Sequence, residues 1–143
     1  MIVIDTNILV AALWSKTGAS NKILTMALRG EIQIAVSVAL ALEYEDVLKR
    51  TKMREASWAS LNELDDVLDA LLAVATRAAP ITINIRPKLS DADDDMVLEC
   101  ALQSQAQTIV TMNVRDFSIV KTQFGIDIMQ PGVFLASLIG GRL

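Results

Sequence analysis

The start of the chain constrains the fold more than any other segment. Residues 1–4 (Met-Ile-Val-Ile) are apolar, as in a short buried strand, and they lead directly to a carboxylate, Asp5. Thr6 and Asn7 follow, and the apolar residues 8–13 then predict a short helix. Because ligands bind at the carboxyl ends of the strands in open α/β sheets, Asp5 is predicted to lie at a binding edge.

Strand and helix patterns alternate along the rest of the chain. We predict strands at 2–5, 32–36, 80–85, 107–111 and 126–129. We predict helices at 7–14, 20–29, 38–50, 59–76 and 93–104, and a last helix from Pro131. Residues 114–122 are predicted to form a short helix or a loop. Alternation of this kind predicts an α/β fold, a three-layer α/β/α arrangement with a mostly parallel central sheet. With 143 residues and no linker or repeat, we expect a single domain over residues 1–143.

The ends of two helices carry recognisable signals. Ser37 precedes the helix predicted at 38–50 and is a favoured N-cap residue. Gly30 follows the helix predicted at 20–29, in the position where glycine commonly ends a helix.

The chain contains no histidine and a single cysteine, Cys100. This composition excludes a Ser-His-Asp triad, a Cys–His nucleophile, a Cys/His metal site and an intrachain disulfide. Any metal site must therefore use oxygen ligands, which favour magnesium, manganese or calcium over zinc or copper.

The net charge of −4 argues against a nucleic-acid partner, because phosphate contacts require Lys and Arg. The objection weakens if the acidic residues hold cations, since two divalent ions would neutralise that formal charge. We expect no membrane partner, because no apolar run reaches the ~20 residues of a membrane span. The amino terminus lacks the basic region of a signal peptide, and we expect a cytoplasmic location.

Two isolated acids have competing interpretations. Asp5 is suited to cap the following helix, but its place at a strand end favours a functional role. Glu43 could be a solvated helix residue, yet it shares a helical face with Leu40 and Val47. An acid on an apolar face usually requires a partner, and a cation is a good one.

A block of aspartates, residues 91 and 93–95, opens the helix predicted at 93–104. Acids at a helix start complement the helix dipole, but four exceed what capping requires. Asp94 shares a face with Leu98 and Ala101, so we expect it to point into a cleft while its neighbours cap the helix or face solvent.

Polar residues also follow the strand predicted at 107–111. Asp116 could form a turn or cap a short helix, and Asn113 could supply a carbonyl ligand or anchor the turn. Three further residues are candidates to support a carboxylate or a bound water by hydrogen bonding: Thr6, Asn7 and Thr111.

The densest basic group of the chain comprises Lys49, Arg50, Lys52 and Arg54. These residues lie at the end of a predicted helix, where positive charge complements the helix dipole. They could equally contact a phosphate backbone, and the sequence leaves both interpretations open.

Four motifs occur in an order that resembles the PIN-domain family over nearly the whole chain. They are Ile-Asp-Thr-Asn at 4–7, Ser-x5-Glu at 37–43, the aspartate-rich helix start and Val-Thr-x-Asn-x-x-Asp-Phe at 110–117. The sequence looks most like the VapC-like toxins of toxin–antitoxin pairs. The resemblance implies a mostly parallel α/β/α fold and a metal-dependent ribonuclease.

The same resemblance implies roles for individual residues. Asp5, Glu43 and Asp94 match the first three family acids, which hold one or two magnesium or manganese ions. The fourth position falls on Asn113, with Asp116 three residues later, and this departure from the commoner Asp puts the second metal in doubt. Family members often form homodimers, and a small antitoxin protein typically covers their cleft.

Two alternatives remain open at the level of sequence. Phosphotransferases of the haloacid dehalogenase type also place a nucleophilic Asp after the first strand, but they usually carry a second Asp where this chain has Asn7. The acids could instead only cap helices in a non-catalytic PIN-like binding protein, and Asn113 keeps that interpretation available.

Overall fold

The computed structural model describes residues 1–50, 57, 59–79, 89 and 92–140. The predicted strand at 80–85 lies outside these residues, as do Asp91, Lys52 and Arg54.

Short parallel strands alternate with helices, as the sequence pattern predicts. The strands are β1 (Ile2–Ile4), β2 (Ala35–Val36), β3 (Thr76–Arg77), β4 (Thr108–Val110) and β5 (Asp127–Met129). The helices are α1 (Thr6–Trp14), α2 (Ala19–Leu28), α3 (Val38–Lys49), α4 (Leu61–Val74), α5 (Ala92–Ser104), α6 (Ser118–Phe124) and α7 (Pro131–Gly140), with a 3₁₀ turn at Val114–Phe117 before α6.

The central sheet places β1 beside β4, and β4 beside β5, with every described pairing parallel. The register pairs Ile4 with Val110, and Val110 with Met129. Strand β2 pairs with β3, and a parallel bridge between Ile2 and Ile34 joins this second ladder to β1. The carboxyl ends of β1 and β4 therefore lie side by side.

Helices cover this sheet and complete the three-layer α/β/α fold, so the predicted fold class is confirmed. Helix α5 packs against β1, β2 and β4, while α3 contacts α1, α4 and α5. The strands β1 and β4 are buried along their whole length, as expected for central strands of a parallel sheet covered by helices. Within the described ranges, none of the helices has the length and apolar character needed to cross a bilayer.

Most predicted elements shift by one or two residues at their ends, and two of them depart from the prediction in ways that the pairing of strands explains. The strand predicted at 32–36 is confined to Ala35–Val36. The helix predicted at 59–76 ends at Val74, and Thr76–Arg77 is instead strand β3. The reason is tertiary pairing: the Thr76 N–H donates to the Ile34 carbonyl at 2.8 Å, and the Ala78 N–H donates to the Val36 carbonyl at 2.9 Å.

The predicted helix ends are confirmed. The Ser37 hydroxyl accepts a hydrogen bond from the Leu40 N–H at 3.1 Å and caps α3. Gly30, which follows the C-cap residue Arg29 of α2, adopts a left-handed conformation with φ of 76°, and a residue without a Cβ tolerates this conformation best.

Candidate functional site

Asp5 lies at the carboxyl end of β1 and is only 8% exposed. Its N–H continues the sheet by donating to the Val110 carbonyl at 2.9 Å. The residue occupies the N-cap position of α1, yet its side chain makes no capping hydrogen bond to that fully described helix. The capping interpretation therefore does not explain why this carboxylate is placed at the strand edge.

Two side chains donate hydrogen bonds to the same oxygen of Asp5. The Thr111 hydroxyl lies 2.7 Å from Asp5 Oδ2, and the Asn7 amide nitrogen lies 3.2 Å from it. Thr111 is fully buried and follows β4, so its bond joins the ends of two neighbouring strands. These bonds fix the rotation of the carboxylate.

The same network extends into the segment after β4. The carbonyl oxygen of the Asn7 side chain accepts from the Met112 N–H at 3.3 Å. The Thr111 hydroxyl in turn accepts from the Asn113 N–H at 3.0 Å. Thr6, the other predicted supporting residue, is the first residue of α1 and is half-buried.

Asp94 lies in the first turn of α5 and is 7% exposed, whereas its neighbour Asp93 is exposed. Leu98 and Ala101 on the same helical face are fully buried. Because α5 leads back into the parallel strand β4, its first turn lies at the edge of the sheet where Asp5 is found.

Asp95 lies in the same turn and forms a hydrogen bond with the backbone. Its Oδ1 accepts a hydrogen bond from the Leu89 N–H at 2.9 Å. Of the three aspartates of this helix start that the structure describes, Asp94 is buried, Asp95 is bonded to the backbone and Asp93 is exposed.

Glu43 lies in the middle of α3 and is half-buried. The negative charge of Glu43 acts on Arg50, which lies at the end of the same helix. The pKa of Arg50 is raised, mainly by its hydrogen bond to Asp46, and also by the negative charges of Glu43 and Asp93. The effects of Glu43 and Asp93 on this exposed guanidinium group are smaller than that of Asp46.

Tyr44, next to Glu43, is fully buried, and its hydroxyl donates a hydrogen bond to the main-chain carbonyl of Ile4. Burial, with smaller effects from Cys100 and Asp5, raises the pKa of Tyr44 well above its usual value, so the hydroxyl retains its proton. Sequence reasoning missed this residue. The signal was available, because Leu40, Tyr44 and Leu48 form one buried face, and a buried tyrosine hydroxyl requires a partner.

The candidates for a fourth ligand are more open to solvent. Asn113 and Asp116 are both exposed. They line a hollow of about 360 Å³ together with Met112, Arg115 and Gln130.

The donor chemistry fits a hard divalent cation, since Asp5 and Asp94 are buried carboxylates and Glu43, Asn113 and Asp116 add only oxygen ligands. The described residues nevertheless contain no group of three or more acidic or cysteine side chains close enough to hold one ion. The oxygen ligands are thus of the kind that such a cation prefers, and their assignment to one metal site stays a prediction.

Two of the predicted RNA-binding residues lie at the end of α3 and have acidic partners. Lys49 Nζ lies 3.1 Å from Glu45 and 3.3 Å from Asp65, and Arg50 lies 2.9 Å from Asp46. These surface ion pairs contribute little to stability. They also reduce the net positive charge that the two residues offer to a phosphate.

An apolar surface adjoins the amino-terminal half of α3. Val38 is 75% exposed and Leu42 is 62% exposed, and both line a groove of about 280 Å³ together with Leu72. We call these three residues the α3 apolar patch. Exposed apolar residues at adjoining positions are typical of a surface that contacts another protein.

Comparison with known proteins identifies the family of the chain. A family model described as a PIN domain matches residues 1–115, which is most of the chain. The matched range includes Asp5, Glu43, Asp94 and Asn113 and ends one residue before Asp116. Among curated proteins, none matches the chain.

Proposed function

Because the chain belongs to the PIN-domain family, we propose that it is a metal-dependent endoribonuclease that hydrolyses RNA phosphodiester bonds. PIN domains are generally nucleases, so the family match supports a hydrolase acting on nucleic acid. The observation that carries the finer assignment is the Asp5 carboxylate, which is buried at the sheet edge and hydrogen-bonded to Thr111 and Asn7 instead of capping α1.

We assign Asp5, Glu43 and Asp94 as the residues that would hold Mg²⁺ or Mn²⁺. Asp116 or Asn113 would complete the set if a second ion binds. A divalent ion at such a site acidifies a water molecule and stabilises the charge on the attacked phosphate.

The chain's own residues organise this chemistry. Thr111 and Asn7 orient Asp5, and packing of α5 on β1 and β4 fixes the position of Asp94. Hydrolysis by water requires no side-chain nucleophile, which agrees with a chain that has no histidine. In such a hydrolysis the water oxygen would form a new P–O bond, the P–O bond to the leaving sugar oxygen would break, and that oxygen would take up a proton as the water loses one.

Lys49 and Arg50 are our candidates to contact the RNA backbone, together with Lys52 and Arg54 of the same basic group. Arg50 supports this assignment best, because its guanidinium group is exposed at the end of α3 and accessible to an RNA phosphate.

We further propose that the protein is the toxin of a toxin–antitoxin pair, that it acts in the cytoplasm, and that it forms a homodimer. The α3 apolar patch supports a protein partner, because Val38 and Leu42 are exposed beside a groove. Either the cognate antitoxin or a second copy of the chain would bury these side chains.

A non-catalytic PIN-like binding protein is the second candidate. It is favoured by one observation, namely that the described acidic side chains do not form a cluster of three. The phosphotransferase alternative has less support, because residue 7 is an asparagine whose amide donates to Asp5, and it cannot serve as the second acid.

RNA cleavage by purified protein tests the proposal. Wild type, Asp5→Asn and Asp69→Asn should be incubated with a mixed pool of labelled RNA, with and without Mn²⁺. Asp69 is an exposed residue of α4, so its substitution is a matched control for the loss of one charge. We expect Mn²⁺-dependent cleavage by wild type and Asp69→Asn only. Equal cleavage by Asp5→Asn would overturn the assignment.

A further inference from the structure

Tyr44 is the single tyrosine of the chain, and it connects the two elements that carry the first two proposed ligands. Its hydroxyl donates to the carbonyl of Ile4, which is the last residue of β1 and directly precedes Asp5. On α3, Glu43 directly precedes Tyr44. One buried hydrogen bond therefore lies between positions adjacent to both acids.

The peptide unit before Asp5 is held at both of its ends. Its C=O, from Ile4, accepts from Tyr44, and its N–H, from Asp5, donates to the Val110 carbonyl at 2.9 Å. Because a peptide unit is planar, two hydrogen bonds on opposite sides fix its orientation. The direction in which the Asp5 side chain leaves the backbone is fixed with it.

The α3 side of this contact is also firmly packed. Leu40 and Leu48, one turn before and after Tyr44, are buried in the core. The helix therefore has little freedom to shift relative to β1 while the hydroxyl remains bonded. Since Glu43 is the adjacent residue, its distance from Asp5 depends on the same contact.

We propose that Tyr44 is a positioning residue, whose bond to Ile4 sets the separation between Glu43 and Asp5 for cation binding. This inference rests on the proposed function, because it assigns a role within the same acidic site. Groups that hydrogen-bond to a metal's ligands typically change its affinity by about 10–100-fold when they are removed, and Tyr44 bonds instead to the peptide unit that joins Ile4 to the ligand Asp5.

Calorimetric titration with Mn²⁺ tests this role in the absence of RNA. Tyr44→Phe removes only the hydroxyl, and Ser57→Ala is a matched control, because the Ser57 hydroxyl donates to the Leu13 carbonyl at 3.1 Å away from the site. We expect Tyr44→Phe to weaken Mn²⁺ binding by about tenfold or more, with Ser57→Ala unchanged. Unchanged affinity in Tyr44→Phe would overturn the inference alone. Absence of binding by wild type would overturn the proposed function as well.

A double-mutant cycle separates positioning from general destabilisation. If Tyr44 acts through Glu43, removing its hydroxyl from the Glu43→Gln protein should weaken Mn²⁺ binding much less than removing it from wild type. Fully additive losses would show that Tyr44 does not act through Glu43 and would overturn the inference.

Fluorotyrosine provides a measurement that does not depend on the folding of Tyr44→Phe. Since the chain has one tyrosine, incorporation labels residue 44 alone and gives one ¹⁹F signal. We expect Mn²⁺ to broaden this signal in the wild-type sequence but not in Asp5→Asn. A sharp signal at Mn²⁺ concentrations that saturate the protein would place the ion elsewhere and overturn the inference.

Discussion

The Thr111 hydroxyl donates a hydrogen bond to Asp5 Oδ2 at 2.7 Å, joining residues that are 106 positions apart in the sequence. The contact exists because β1 and β4 are parallel neighbours, so the residues that follow them meet at one edge. The hydroxyl gives the buried carboxylate a hydrogen-bond donor that carries no charge itself. The Asp5 orientation is thus a product of the sheet topology.

Thr111→Val tests this contact, because valine keeps the shape of threonine and removes the hydroxyl. We expect Mn²⁺ binding to weaken by about tenfold or more, since Asp5 loses an orienting partner. The free energy of unfolding should fall by about 1–3 kcal/mol, because a buried carboxylate oxygen loses a donor. Calorimetry and urea denaturation measure the two effects.

Thr108→Val is the control for that substitution, since Thr108 is a buried threonine at the other end of the same strand. It should leave Mn²⁺ affinity unchanged. If both variants weakened binding equally, the Thr111 hydroxyl would have no specific role at Asp5.

Ser37→Ala should destabilise the protein through the start of α3. The Ser37 hydroxyl accepts from the Leu40 N–H, and loss of such a cap typically costs about 1 kcal/mol. Asparagine is an equally good N-cap residue, so Ser37→Asn should retain most of the stability. Urea denaturation of the three proteins measures the difference, and equal losses in both variants would exclude capping as the cause.

Alkaline pH should lower stability through Cys100. Burial raises the pKa of its thiol from 9.0 to about 11, although hydrogen bonds with Ser37 act in the opposite direction. The folded protein therefore keeps this proton to higher pH than the unfolded chain does. Its contribution to stability is complete below the unfolded pKa and is lost as the pH rises through the folded pKa, by roughly 2–3 kcal/mol in all.

Urea denaturation from about pH 8 to about pH 11 in the presence of a reductant measures this loss. Cys100→Ala should show a shallower decline with pH than wild type. Equal pH dependence in the two proteins would mean that other groups, such as Tyr44, cause the decline.

The α3 apolar patch should govern association of the chain with itself. We expect light scattering to show a dimer for wild type and a monomer for Leu42→Glu, because a buried charge at an interface is costly. Val133→Glu is the control, since Val133 is an exposed apolar residue of α7. If wild type is a monomer, the proposal that the chain forms a homodimer is wrong, and the α3 apolar patch would instead be available to bind a different protein.

Local sequence patterns were sufficient for the main elements of the fold. The apolar run before Asp5 predicted β1, and Ser37 predicted the start of α3, because both signals are contained within a few residues. Strand β3 could not be predicted in this way. It consists of two residues, and it exists because Thr76 and Ala78 bond to residues around β2, far away in sequence.

The candidate site was predictable to a similar extent. The helical face that Asp94 shares with Leu98 predicted a side chain that points into a cleft, and the structure shows Asp94 to be 7% exposed. The roles of Asp5, Glu43, Asp94 and the fourth position stay predictions. The bond from Tyr44 to Ile4 was not predictable, because it depends on the packing of α3 against the end of β1.

Calorimetric titration of Mn²⁺ into wild type, Asp94→Asn and Asp93→Asn tests the central claim most directly. Asp93 lies in the same turn as Asp94 but is exposed, so the two variants lose the same charge from buried and exposed positions. We expect saturable binding by wild type and Asp93→Asn that is lost in Asp94→Asn. Undiminished binding by Asp94→Asn, or no binding by wild type, would contradict a metal-dependent acidic site at this edge of the sheet.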